Sequence, residues 1–255
     1  MVSGEVNVLA VKRIYLNKGD IYHTNAFGDM EILYHNDSRD VGIRFIATGY
    51  ISTGVQVGNV VRGNVADRLV PTVMGKGYLN TDEKVTGTQC YMHWHSMLER
   101  AYSEKYHLTR PTYRDVEVCE EWYDFTEFRV WFNKQEYTKG FHLDKDLFGN
   151  SKLYSPNNCC FLPARLNSVL TDNESRRGDC PLGVSKRKKK GTQEYNGLYN
   201  ASIFGAYLGR FTCPLKAGDL CLEFKQLGLE CLADQYYELG IIDSCKRDAF
   251  YNHLK

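Results

Sequence analysis

The sequence predicts an α+β protein: a β-rich N-terminal module, central helices that lead into a strand, loop, strand, helix segment, and a C-terminal sheet with helices. Three observations predict this class. Short β-branched stretches bounded by Asp, Asn and Gly fill the first third of the chain. Apolar residues then recur at helical spacings, and short alternating stretches surround a basic run near the C-terminus. The 255 residues suffice for one large domain or for two or three small ones.

The first region, residues 1–82, is rich in Val, Ile, Tyr and Gly. The stretches DMEILYHN and VGIRFIATGYIST predict strands joined by tight turns. The segment RGNVADRLVPTVMGKGYLN, with a Pro and several Gly, predicts a closing loop. We expect a small β-rich accessory module, in which Arg44, Arg62, Arg68 and Lys76 are either part of a DNA-binding track or ordinary surface charges.

The second region, residues 83–175, opens with two helical patterns, YMHWHSMLERAYSEKYH and VCEEWYDFTEFRVWFNKQ. The large rings at these spacings are expected in the core: Trp94, Trp122, Phe125 and Phe128. The segment FHLDKDLFGNSKLYSPNNCCFLPARLNSVL then predicts a strand, a Gly/Asn loop and a Ser-Pro turn. A second strand that begins at Asn158 and a helix from about Pro163 are predicted to follow.

The third region, residues 176–255, begins with short alternating strands around a basic hairpin. The run KRKKK occupies positions 186–190. A helix is predicted over roughly 215–227, and the tail from about Leu229 also has a helical pattern.

Bulk properties limit the class of protein. No run of 18 or more apolar residues occurs, and the start MVSGEVNVLAVKRIYLNKGD lacks the apolar core and cleavage site of a signal peptide, so we expect neither a membrane span nor a signal peptide. The nine cysteines are scattered without a CxxC pair, which disfavours a zinc site and favours reduced thiols in a cytoplasm. The net charge of +1 does not exclude DNA binding, because cations are needed on one face only.

Oxygen-bearing side chains mark the strand, loop, strand, helix segment as a candidate site. That order can hold one divalent ion against a phosphate, and oxygen ligands suit Mg²⁺ or Mn²⁺. The predicted metal ligands are Asp144 and Asp146 on the first strand and Asn167 on the helix, while Asn158 is predicted to pin the turn. The alternative is turn chemistry, in which an Asp pair before a Gly-Asn loop bonds the backbone.

Residues 91–167 resemble the phage-encoded HNH homing-endonuclease-like proteins, whose central motif is called ββα-metal. The resemblance is carried by W-x-x-M-x-x-R, W-x-x-F-x-x-F, L-D-K-D, Y-S-P-x-N-C and a closing Asn, in the family's order. It implies a metal-dependent DNA endonuclease that hydrolyses phosphodiester bonds with one Mg²⁺ or Mn²⁺ ion in the host cell cytoplasm.

The chain departs from active members of that family at the general base. There a His directly follows the Asp of the first strand, whereas Lys145 follows Asp144 here. An ammonium is a poor base at neutral pH. His142 and Tyr154 are the candidates to replace it, so the catalytic candidates are His142, Lys145, Tyr154 and Asn158. Three functions stay open: an endonuclease, a nuclease-derived DNA-binding protein that has lost its base, and a phage protein that acts on a host defence protein.

The segment PLGVSKRKKKGTQEYNGLYNASIFGAYLGRFTCPLKAGDL is similar to the plant ethylene-response-factor type of DNA-binding domain. The matching residues are Gly183, Val184, Tyr199, Ala201, Ile203, Leu208, Gly209, Phe211 and Ala217. The resemblance implies a three-stranded sheet with a helix, which binds double-stranded DNA. The residues expected to contact DNA are Lys186, Arg187, Lys188, Lys190 and Arg210. The alternative is that the cationic run is a solvated hairpin.

Overall fold

The computed structural model describes residues 14–136, 139–149, 152–170 and 178–253. The chain divides into two compact units: unit 1 is Met1–Tyr106 with Glu120–Val130, and unit 2 is His107–Cys119 with Trp131–Lys255. Helices and antiparallel sheets together confirm the predicted α+β class. The described helices include none that is both long and apolar enough to span a bilayer. Most of the stretch on which the signal-peptide expectation rests, residues 1–13, lies outside the described residues.

A four-stranded antiparallel sheet opens unit 1. Its strands, in spatial order, are β1 (Ile21–His23), β2 (Asp29–Asp37), β3 (Asp40–Phe45) and β4 (Ile51–Val55). Side chains alternate between the faces of a strand, so Ile32, Ile43 and Phe45 share one face and are fully buried there. The short helix α1 (Val57–Val61) adds Val57 and Val60 to this core. The predicted β-rich character of this region is confirmed.

The helices that follow are α2 (Gln89–Tyr102), α3 (Glu104–Thr109) and α4 (Phe125–Asn133). Trp94 of α2 is fully buried, and its indole N–H donates to the carbonyl of Trp122 at 2.7 Å. The helix predicted over the whole second pattern is wrong, because α4 begins only at Phe125. The Asp124 carboxylate accepts a hydrogen bond from the Thr126 backbone N–H at 2.7 Å, which caps the helix there.

The segment before α2 packs against these helices. Val73 and Gly77 form an isolated antiparallel bridge, and a Cβ at Gly77 would lie 2.4 Å from the Leu98 side chain. The Asn80 amide donates to the Asp124 carboxylate at 2.7 Å. The predicted boundary between residues 82 and 83 therefore falls inside unit 1.

Unit 2 contains the predicted strand, loop, strand, helix order. Its elements are β5 (Glu117–Val118), β6 (Phe141–Asp144), β7 (Leu153–Tyr154), β8 (Cys160–Pro163) and α5 (Ala164–Leu170). Strand β6 pairs antiparallel with β8, and β7 pairs parallel with β5. Below, the ββα segment means β6, β8 and α5.

Two details of the ββα segment correct the sequence prediction. Pro163 ends β8, where it pairs with Phe141, and the helix begins one residue later. A proline is tolerated there because a two-stranded sheet consists of edge strands. Asn158 does not begin the second strand: it lies in a turn that Ser155 closes by accepting its backbone N–H at 3.2 Å.

The C-terminal part of unit 2 is a three-stranded antiparallel sheet followed by two helices. These elements are β9 (Val184–Lys188), β10 (Tyr195–Ile203), β11 (Ala206–Phe211), α6 (Pro214–Glu238) and α7 (Ser244–Asn252), with β10 in the centre of the sheet. Helix α6 extends beyond the predicted end near residue 227. Its first half packs on the sheet through Ala217 and Cys221, and its second half packs on the ββα segment through Leu229 and Ala233.

Candidate functional site

Asp144 and Asp146, two of the predicted metal ligands, lie at the end of β6. Asp144 is 5% exposed, and its Oδ1 accepts hydrogen bonds from the backbone N–H groups of Asp146 at 3.0 Å and Leu147 at 2.8 Å. Asp146 lies in the loop rather than on the strand. One carboxylate oxygen of Asp144 therefore closes a turn, which is the alternative that the sequence left open.

Lys145, the residue at the usual position of the base, is buried beside these carboxylates. Its side chain is 8% exposed, and its ammonium donates to Asp146 Oδ1 at 2.7 Å. The Lys145 Nζ lies 5.4 Å from the ring centroid of Tyr113 and 5.8 Å from that of Tyr154. Two aromatic rings and a carboxylate hold this ammonium away from water, which is not the exposed position that a general base needs.

The other predicted catalytic residues are distributed around this group. His142 of β6 is exposed, and its Nδ1 lies 3.5 Å from Nδ2 of Asn167 on α5. Tyr154 is 1% exposed. The Asn158 side chain donates to the Leu153 carbonyl at 3.2 Å and thereby pins the turn as expected. The structure thus joins His142 with Asn167, and it joins Lys145 with both Asp146 and Tyr154.

The donors at the end of β6 do not fit a divalent ion. Oδ1 of Asp144 and Oδ1 of Asp146 are both engaged as acceptors, and the Lys145 ammonium would repel a second cation. Across residues 14–136, 139–149, 152–170 and 178–253, no three His, Cys, Asp or Glu side chains are grouped so that they could hold a metal ion. The arrangement at the end of β6 therefore supports no catalytic step through a metal ion.

Burial gives Asp144 a measurable pH signature. Burial raises the pKa of its carboxyl to about 6, although hydrogen bonds from the backbone of Leu147 oppose this effect. The folded state therefore binds a proton that the unfolded state has already lost between about pH 4 and pH 6, so stability falls as pH rises through this window. Above it, the full cost of ionisation is on the order of 3 kcal/mol.

The substitution Asp144→Asn is expected to remove this pH dependence, because an amide oxygen can accept the same backbone hydrogen bonds without a charge. The variant should be about 2 kcal/mol more stable than the parent at pH 8 and no more stable at pH 4. Denaturant unfolding at the two pH values measures this difference. The exposed Asp115→Asn is the matched control. A variant that loses stability at pH 8 would contradict the assignment.

The outer face of the C-terminal sheet carries a row of polar side chains. Asn200 in β10 is paired with Ser185 in β9 and with Arg210 in β11. The next residue, Ala201, is paired with Val184, and both are buried against α6. Because successive side chains alternate, Ser185, Asn200 and Arg210 lie on the face that α6 does not cover.

The predicted DNA contacts lie on this sheet or on its β9–β10 hairpin. Arg187 lies on the outer face together with Ser185. Lys186 is paired with Tyr199 on the face towards α6, where its side chain is exposed. Within the described ranges, none of the five predicted contacts has a carboxylate partner, and four of them also have no side-chain amide partner: Lys186, Arg187, Lys190 and Arg210. The Lys188 ammonium bonds to Gln193, and the neighbouring Lys189 forms an ion pair with Glu194 at 2.8 Å.

Sequence reasoning missed Ser185 and Asn200. A single polar residue in a strand has no distinctive pattern. An irregularity in the register between Ala201 and Ser202 also makes the pairing of β10 with β11 hard to predict from sequence. Asn200 is the residue next to the buried Ala201, and the alternation of side chains along a strand places it on the opposite, outer face, which is the signal that could have found it.

The N-terminal cations considered for a DNA track have partners within unit 1, and Arg62 donates to the Asn59 side chain at 3.2 Å. Arg44 is paired with Glu31 at 2.5 Å, and Arg68 is paired with Asp82 at 3.3 Å. Lys76 lies over the ring of Tyr123. These side chains have structural partners within unit 1.

Comparison with known proteins identifies no relative of this chain that could suggest a function. No family model matches the chain, and no curated protein and no solved structure is significantly similar to it. The functional assignments below therefore rest on the residues and their geometry.

Proposed function

We propose that this chain binds double-stranded DNA through the outer face of its C-terminal sheet. One observation carries the proposal. Arg187 and Arg210 are on the sheet face opposite α6, and neither is neutralised by a carboxylate within the part of the chain that the structure describes. Unpaired guanidinium groups on a solvent-facing sheet suit phosphates, which supply much of the affinity of DNA-binding proteins.

The outer row also contains side chains of the kinds that distinguish bases. Arg pairs with guanine and Asn with adenine through two hydrogen bonds in the major groove, and a two-stranded or wider ribbon can enter that groove. Asn200 and Arg210 are cross-strand neighbours, so they would address adjacent positions. Lys186 and Lys190 lie outside this row and suit phosphates only.

Salt dependence tests the proposal. Four cations that have neither a carboxylate nor an amide partner in the described ranges, each neutralising one phosphate, predict a slope of about −3.6 for log affinity against log salt concentration. Fluorescence anisotropy with a labelled duplex measures this slope. Absence of binding at low salt, or a slope near zero, would contradict DNA binding by this surface.

Hydrolysis of DNA is the second candidate function, and two observations favour it. The strand, loop, strand, helix order is present, and the exposed His142 lies next to Asn167. An exposed imidazole is one of the side chains that serve as a general base. Incubation of the parent and His142→Ala with plasmid DNA and Mg²⁺, Mn²⁺ or EDTA tests this candidate. Nicking that His142→Ala slows about a hundredfold would establish it, and nicking that persists in EDTA would agree with an end of β6 that holds no metal ion.

A further inference from the structure

The Lys145 side chain joins three separate stretches of unit 2. It extends from the loop after β6, bonds to Asp146 in that loop and contacts the rings of Tyr113 and Tyr154. Tyr113 belongs to the 3₁₀ turn Pro111–Tyr113, and Tyr154 belongs to β7. One ammonium therefore connects the end of β6 with two segments that come from other parts of the sequence.

The end of β6 needs a positive charge. The buried Asp144 and the half-exposed Asp146 are two residues apart, and the like charges of their carboxylates repel each other. The Lys145 ammonium supplies this charge through a direct hydrogen bond to Asp146 at 2.7 Å.

We infer that Lys145 is the resident cation of the ββα segment: its ammonium takes the position at the acidic end of β6 that a divalent metal ion would otherwise occupy, and it holds the loop to Tyr113 and Tyr154. The fold of this segment is then independent of metal ions. The inference does not depend on DNA binding, and its tests use no DNA.

Metal titration of the full-length parent is the first test. Calorimetry with MgCl₂ or MnCl₂ should detect no binding, and neither salt nor EDTA should change the melting temperature by more than about 1 °C. Binding of one Mn²⁺ ion per chain that Asp144→Asn abolishes would overturn the inference. This test requires no variant that alters the buried cluster.

Lys145→Met is the second test, because methionine keeps the apolar stem and removes the charge. The Lys145 ammonium is buried but Asp146 is half-exposed, so loss of this charge should lower the melting temperature by roughly 5 °C. In this variant Mn²⁺ should recover several degrees, because the two carboxylates are left without their cation. Adding Asp146→Asn to Lys145→Met should recover stability without metal, because it removes the charge that is left unpaired.

Lys152→Met is the matched control, since its ion pair with Asp115 is exposed on both sides. It should change the melting temperature by no more than about 2 °C and should not respond to Mn²⁺. A Lys145→Met variant that behaves like this control would overturn the inference. If Lys145→Met fails to fold, the double variant and the metal titration of the parent still decide the question.

Discussion

Replacing Arg187 and Arg210 together by Ser is expected to weaken duplex DNA binding about 30-fold near physiological salt concentration. The loss of two phosphate contacts should reduce the salt slope by about 1.8, and the affinity loss will be larger if either guanidinium also contacts a base. Neither side chain belongs to the buried core of the sheet, so the melting temperature should stay within a few degrees of the parent.

Lys189→Ser provides the comparison on the same hairpin, because Glu194 already neutralises the Lys189 ammonium. We expect a change of no more than about threefold in affinity for this variant. An unchanged salt slope in the Arg187 and Arg210 double variant would mean that the outer face of the sheet does not contact DNA.

The substitution Gly183→Ala is expected to destabilise the C-terminal sheet by about 3 kcal/mol and to abolish DNA binding with it. Gly183 has a φ of +71°, and a Cβ there would lie 2.6 Å from the Ser202 carbonyl oxygen and 2.8 Å from the Cys221 Sγ. The carbonyl cannot move away easily, because Gly183 and Ser202 are joined by a backbone hydrogen bond of 2.9 Å.

Gly191→Ala separates the steric clash from the backbone strain as causes of this loss. Gly191 has a φ of +77°, but nothing lies within 4 Å of the position of its Cβ. The backbone strain alone should cost about 1 kcal/mol, so this variant should remain folded and should bind DNA. Thermal unfolding and anisotropy of both variants provide the measurement. Equal losses in the two variants would rule out the predicted clash at Gly183.

Much of the fold follows from local patterns. β-Branched stretches bounded by turn residues give the N-terminal strands, and the spacing of Trp94 and Leu98 gives α2. The boundaries that were wrong depend on single polar or cyclic side chains. Asp124 starts α4 later than the apolar spacing suggests, and Pro163 remains in β8, because capping and strand pairing act on top of periodicity.

The sequence predicted where the candidate site residues lie better than it predicted what their side chains contact. The sequence places Asp144, Lys145 and Asp146 together, but it does not say that Lys145 turns inward between two rings. That contact depends on Tyr113, which is remote in sequence and belongs to no motif. The faces of the C-terminal sheet were likewise hidden, because strand register and bulges are set by pairing between strands.

Helix α6 connects the C-terminal sheet to the ββα segment as one continuous helix. Its 25 residues span roughly 37 Å, and one end is fixed to the three-stranded sheet while the other is fixed to α5 and β8. One residue inserted near Gly228, between the two packed halves, would rotate the second half by about 100° and advance it by about 1.5 Å. The length and register of this single helix therefore set how the three-stranded sheet and the ββα segment are oriented relative to each other.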